Sequence, residues 1–145
     1  WRDRLATALA SAGRWDEAVA EWKAFLSAFP NHPLWQEVQA RIPRARFEKG
    51  AMLASQDEKD AAIAAWRAFA EEFPTHPLAP EALLRVGDLL KSRKDCEGAI
   101  ATWRSVTGRY AGAPQAPVAW LAIATTLEDD LRRLGAHFVA FDYHP

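Results

Sequence analysis

The sequence predicts an all-α chain of about three and a half antiparallel helical hairpins stacked as a solenoid. Three observations predict it. Segments around Trp22, Trp66 and Trp103 align without gaps, and these tryptophans are 44 and 37 residues apart. Large apolar residues fall at i and i+3 from Val19, Ile63 and Ile100, with a further aromatic one heptad after each Trp, which is one face of a helix. Pro43, Pro80 and Pro117 recur every 37 residues, each ahead of a second apolar helical stretch. Fixed periods of this length mark repeat folds, in which each unit buries its apolar stripe by stacking on a neighbour.

The first unit turns at Gly13-Arg14-Trp15-Asp16-Glu17-Ala18 and continues through Val19, Trp22, Phe25 and Phe29 to Pro30, His32, Pro33 and Leu34. Asp60, Ala62, Ile63, Trp66, Phe69, Phe73, Pro74, His76, Pro77 and Leu78 repeat it, as do Glu97, Ala99, Ile100, Trp103, Val106, Tyr110 and Pro114. The small Ala18, Ala62 and Ala99 let a neighbouring helix approach closely. Proline suits a first helical turn, where its missing N–H costs nothing. Pro43, Pro80 and Pro117 are therefore expected to open helices bearing Phe47, Gly50 and Leu53; Leu83, Val86, Gly87 and Leu90; and Trp120, Ile123, Ala124 and Leu127. The seven extra residues of the longer spacing precede Pro43, in 34–42, and are expected as extra helical turns leading into a bend at Pro43. This places repeats at about 1–33, 43–77, 80–114 and 117–134 of one domain, 1–134. Gly135 is a candidate helix cap. Residues 135–145 are aromatic and partly alternating, and read as a tail or the start of a following segment.

Composition excludes several classes. Half of the 145 residues are apolar and 26% are charged, an ordinary globular balance. Lys and Arg number 18 against 19 acids, so the basic excess of a nucleic-acid binder is missing and no nucleic-acid partner is expected. The single cysteine, Cys96, makes neither an intrachain disulfide nor a Cys-rich zinc site. No apolar run approaches the roughly 18–20 residues that span a bilayer, so direct membrane insertion is not expected. The chain opens on Trp1 without an initiator methionine or visible signal peptide, and reads as a fragment or processed product.

The pattern resembles the tetratricopeptide repeat across roughly residues 2–134. Gly13-Arg14-Trp15-Asp16-Glu17-Ala18 matches that family's turn. Gly50 and Gly87, with Ala6 and Ala124 as substitutes, match its small position. Ala18, Ala62 and Ala99 match its alanine, Trp22, Trp66 and Trp103 its aromatic position, and Pro30 and Pro74 its terminal proline. The chain departs in its spacing, in Arg46 and Lys49 at apolar positions, and in Asp57 and Lys94 where Gly13 has its counterparts. The Phe-Pro-polar-His-Pro-Leu linker is similar to that of bacterial cell-envelope repeats, including outer-membrane assembly and cell-division coordination factors.

The resemblance implies a right-handed solenoid whose concave groove, lined by the first helix of each pair, binds a peptide or partner protein. The positions it implies are Arg44, Phe47 and Ala51; Glu81, Leu84, Asp88 and Lys91; and Val118, Leu121 and Thr125. The family's clamp for a C-terminal carboxylate uses an Asn absent here, so that clamp is not expected. Trp35 and Arg41 are additional candidate contacts. Arg41, Arg44 and Arg46 read either as a solvated face or as a surface gripping an acidic or C-terminal segment.

Other constellations read as structure. Trp22, Trp66 and Trp103 are expected in the core. His32 and His76 occupy equivalent linkers too far apart to share a zinc at about 2 Å each, so no metal is expected. Glu71-Glu72 and Glu128-Asp129-Asp130 read as solvated faces. No nucleotide loop, nucleophile elbow or zinc-protease motif occurs, and Cys96 has no neighbouring histidine in sequence. A non-enzymatic, cofactor-free interaction scaffold is the expectation. The alternatives are a spacer within a larger, exported protein, an accessory segment of an enzyme, and an RNA-binding repeat that the net charge disfavours. Solenoid ends without polar caps also point to self-association.

Overall fold

The computed structural model describes residues 8–9 and 13–135. Among these, six helices follow one another: α1 (Trp15–Ala28), α2 (Trp35–Ser55), α3 (Lys59–Glu72), α4 (Ala79–Ser92), α5 (Cys96–Arg109) and α6 (Gln115–Gly135). No strand occurs among the described residues, so the all-α helical-repeat fold stands. The expected tail after Gly135, and Ala6 in the first repeat, lie outside them. The chain divides into two compact units, Trp1–Ala82 and Leu83–Pro145, with the division inside α4.

Each turn between hairpin helices has the same physical form. Gly13, Asp57 and Lys94 hold positive φ of 82°, 61° and 66°. The N–H of the following residue reaches back to a leucine carbonyl five residues earlier: Arg14 to Leu9 at 2.8 Å, Glu58 to Leu53 at 3.0 Å, Asp95 to Leu90 at 2.9 Å. This is the Schellman closure of a helix, which needs a left-handed residue at its corner. Glycine takes that conformation freely, so Asp57 and Lys94 hold it under strain.

In the first unit α1 packs on α2 and α2 on α3. Ala18, Val19, Trp22 and Phe25 of α1 bury against Val38, Ile42 and Ala45 of α2. Trp66 of α3 packs over α2 at Gly50. Its indole N–H donates to the Phe47 carbonyl at 3.1 Å, and a Cβ on Gly50 would stand 2.5 Å from the indole nitrogen. Real Cβ atoms do not tolerate that approach, so glycine is required for closeness rather than for backbone freedom.

The second unit repeats this arrangement. Trp103 of α5 donates to the Leu84 carbonyl at 3.2 Å and covers Gly87, where a Cβ would collide with the same indole atoms. Further along, α5 packs on α6 through Val106, Ala116, Ala119 and Ile123, all buried. On α6 the stripe equivalent to Leu83, Gly87 and Leu90 is Trp120, Ala124 and Leu127, and among the described residues it is exposed, Trp120 at 59%.

The expectation at Pro43 needs correction. Pro80 and Pro117 fall in the first turns of α4 and α6, but Pro43 lies in the interior of α2, eight residues after its start at Trp35. The 34–42 insertion is a helical extension continuous with the remainder of α2. Proline leaves only the Gln39 carbonyl without its helical donor, and Val38, Ile42 and Pro43 are buried against the core. Burial of those three residues offsets the lost bond.

Gly50→Ala or Gly87→Ala is expected to destabilise the protein by about 1–3 kcal/mol through overpacking against the indole. That loss comes despite alanine's helix-propensity gain of up to about 1 kcal/mol. Urea unfolding of both variants measures it, and a gain in stability would disprove the close seat.

Candidate functional site

The positions carried over from the repeat divide into two kinds. On α2, Arg44 is exposed and Ala51 half-buried, and on α4, Glu81 is half-buried and Asp88 exposed. On α6, Val118 (51%), Leu121 (68%) and Thr125 are exposed. Phe47 and Leu84 are not accessible: they are 5% and 8% exposed. Phe47 packs its ring 5.9 Å from Trp66 and 5.8 Å from Phe69. A helix advances 100° per residue, so each of these residues sits only about 60° from the seat glycine three positions later. The partner helix that covers the glycine therefore covers them too. Leu121 stands in the same place, but no indole covers its seat among the described residues.

In the second unit Lys91 of α4 reaches Asp129 of α6 at 3.8 Å. Asp129 is one turn beyond Thr125, so this pair joins the α4 row of Asp88 and Lys91 to the α6 row. In the first unit the expected basic cluster separates. Arg41 bonds Glu37 on its own helix at 3.2 Å, and Arg46 turns to Glu72 of α3 at 3.9 Å. Arg44 alone remains exposed without an ion pair among the described residues.

Trp35 is also held by the fold. Its indole N–H donates to the Leu26 carbonyl at 3.1 Å. The residue that would normally bond that carbonyl within α1 is Pro30, which has no N–H, so the insertion's tryptophan satisfies the orphan acceptor.

The tetratricopeptide repeat model matches residues 4–77 and 53–117, together most of the chain. The chain belongs to the tetratricopeptide repeat family. Such repeats generally mediate protein–protein interaction, and the family is typically a non-catalytic scaffold. Among curated proteins, none matches the chain.

The two linker histidines of these tetratricopeptide repeats set the chain's path. His32 Nδ1 accepts the Leu34 N–H at 3.1 Å, and His76 Nδ1 accepts the Leu78 N–H at 3.0 Å. Their rings meet Phe25 and Phe69 edge-on, with centroids 5.2 and 5.6 Å away. Nδ1 of each imidazole thus accepts a backbone N–H just ahead of the next helix. No group of three or more His, Cys, Asp or Glu residues suited to a metal ion occurs among the described residues.

The acidic runs are ion-paired at the surface. Glu128 pairs with Arg132 at 2.6 Å, Asp130 with Arg133, and Glu72 with Arg46. No described helix is long and apolar enough to cross a membrane.

Burial pushes the His76 imidazole below its usual value of 6.5. The unfolded chain therefore binds the proton more readily than the folded one, and protonated Nδ1 cannot accept from Leu78. His76 contributes stability that is complete above the unfolded value and declines as pH falls through it toward the folded value. The denaturation midpoint is expected to drop between about pH 7 and pH 5, with His76→Gln making the drop shallower. Equal slopes for both proteins would remove His76 from this role.

Proposed function

We propose that the chain is a non-enzymatic interaction module whose accessible first-helix positions bind a peptide or partner protein. One observation supports it above the rest. At two repeat-equivalent positions, Arg44, Glu81 and Val118 and then Ala51, Asp88 and Thr125, every side chain is at least partly accessible. The third position of the row is buried where an indole covers the seat. These accessible residues contribute little to the core and differ from repeat to repeat in charge and polarity. Such a row suits sequence-dependent contacts to a peptide.

Each unit offers both signs, Arg44 and Glu81 in the first and Asp88 and Lys91 in the second, which favours partner segments carrying both charges. The linker likeness to bacterial envelope repeats directs the search to envelope proteins. A peptide-display selection against the chain, followed by affinity measurement, tests the reading. Selected peptides are expected to bind at least about tenfold more weakly to an Arg44→Glu/Val118→Asp variant whose helical circular dichroism is unchanged. Failure to enrich any peptide, or affinities indifferent to the substitutions, would favour a spacer within a larger protein.

A further inference from the structure

Two clefts occupy equivalent places in the repeat and are filled differently. In the first unit a cleft of about 170 Å3 is lined by Gly13, Trp15, Asp16, Lys49 and Met52, with Arg14 and Glu17. The Trp15 indole N–H points to the Met52 sulfur at 3.4 Å, and Lys49 closes on Asp16 at 2.9 Å. In the second unit Lys94 holds the corner that Gly13 holds, Cys96 takes the place of Trp15, and Thr126 takes the place of Met52. A thiol and a hydroxyl stand where an indole and a thioether stood. The cleft is larger, about 240 Å3, and is lined by Lys91, Lys94, Cys96, Thr126, Asp129 and Arg133.

Two features make this more than an empty space. Thr126 is 1% exposed, and its hydroxyl oxygen has no hydrogen-bond partner among the described residues. Thr102, also on a helix and buried, returns its hydroxyl to the Gly98 carbonyl at 2.9 Å. A buried hydroxyl without a partner is costly, and a ligand oxygen in the cleft relieves it. The lining is also cationic. Lys91, Lys94 and Arg133 line the cleft with one carboxylate, Asp129, and because Asp130 pairs with Arg133 from outside the lining, one positive charge, that of Lys94, is left in excess. Lys91 pairs with Asp129 at 3.8 Å, and Arg133 pairs with Asp130, which is outside the lining, and approaches the Cys96 sulfur at 3.9 Å. Lys94 makes no ion pair among the described residues. Arg133 has five donors in a planar fork, and only one of its terminal nitrogens is engaged by Asp130 and Cys96.

We propose that this cleft binds a phosphate-type oxyanion, either inorganic phosphate or the phosphoryl group of a phosphorylated residue. Lys94 and Arg133 hold its charge, and the Thr126 hydroxyl donates to one of its oxygens. The several oxygens of such an anion match lysine, arginine and hydroxyl donors approaching from different residues. The site borders the peptide-binding row at Lys91, but Lys94, Arg133 and Thr126 lie outside that row, and neither reading depends on the other.

The chain's single thiol lies in the lining and reports on occupancy. The experiment measures the alkylation rate of Cys96 by neutral iodoacetamide in phosphate and in chloride at equal ionic strength. Phosphate is expected to slow alkylation saturably, with Lys94→Glu abolishing the effect. Thr126→Val, which removes only the orphan hydroxyl, is expected to raise the half-saturating concentration roughly fivefold while leaving the thermal midpoint unchanged or higher. An Ala-phosphoserine-Ala peptide that protects at lower concentration than phosphate assigns the site to a phosphorylated partner. Weaker or equal protection by that peptide assigns it to the free anion. Equal rates in phosphate and chloride, or slowing that survives Lys94→Glu, would overturn the proposal.

Discussion

Two hairpins close where an indole lies over a glycine and gives its N–H to the carbonyl three residues before it. Trp66 does this over Gly50 with the Phe47 carbonyl, and Trp103 over Gly87 with the Leu84 carbonyl. The contact satisfies two requirements together. A large aromatic surface leaves water, and its one polar atom is bonded inside the core. In the first unit the contact propagates outward. Trp66 meets Phe47, Phe47 meets Phe69, and Phe69 meets both Phe73 and His76, with ring centroids 5.6–5.9 Å apart. His76 in turn receives the Leu78 N–H and begins α4. A chain of ring contacts thus runs from the hairpin's centre to the linker that starts the next hairpin.

Trp22 extends the pattern with one difference. It is buried in the α1–α2 core, but its indole nitrogen has no partner among the described residues. The position equivalent to Phe47 and Leu84 is Asp3, outside the described residues. At the other end, α6 carries Ala124 in the glycine's place. Its Cβ occupies the space where an indole lies in the two earlier seats. Trp120 supplies bulk on α6 where α4 has only Leu83, so anything that covers this stripe must do so without an indole at that level.

The periodicity made the helices legible because 3.6-residue spacing leaves a direct trace in the sequence. Trp, Gly and Ala positions were legible for the same reason, since each recurs in register. Pro43 was not, because its role depends on burial of Val38 and Ile42 rather than on local preference. The accessible row was half legible. Alignment placed Phe47 and Leu84 in the groove, but a 60° offset from the glycine brings them under the partner helix. The basic cluster failed as a single surface because Arg46 finds an acid on α3, a contact that no spacing rule reveals. The second cleft was missed entirely. Its signal was present in Cys96 and Thr126 standing where Trp15 and Met52 stand, a comparison that becomes meaningful once the turns are aligned in space.

A repeat protein contains its own comparison series. Residues that close a hairpin must recur in every hairpin, because each one faces the same packing problem. Trp22, Trp66 and Trp103 recur, as do Ala18, Ala62 and Ala99, and so do the left-handed corners, even when the corner residue is Asp57 or Lys94. Residues that recognise a ligand need occur only where the ligand touches. The positions that change character are therefore the informative ones: Arg44, Glu81 and Val118 on the accessible row, and the exchange of Trp15 and Met52 for Cys96 and Thr126 in the cleft. The first set varies without disturbing the core. The second exchanges a filled, bonded contact for an open one with an unpartnered hydroxyl, a loss that folding alone gives no reason to accept.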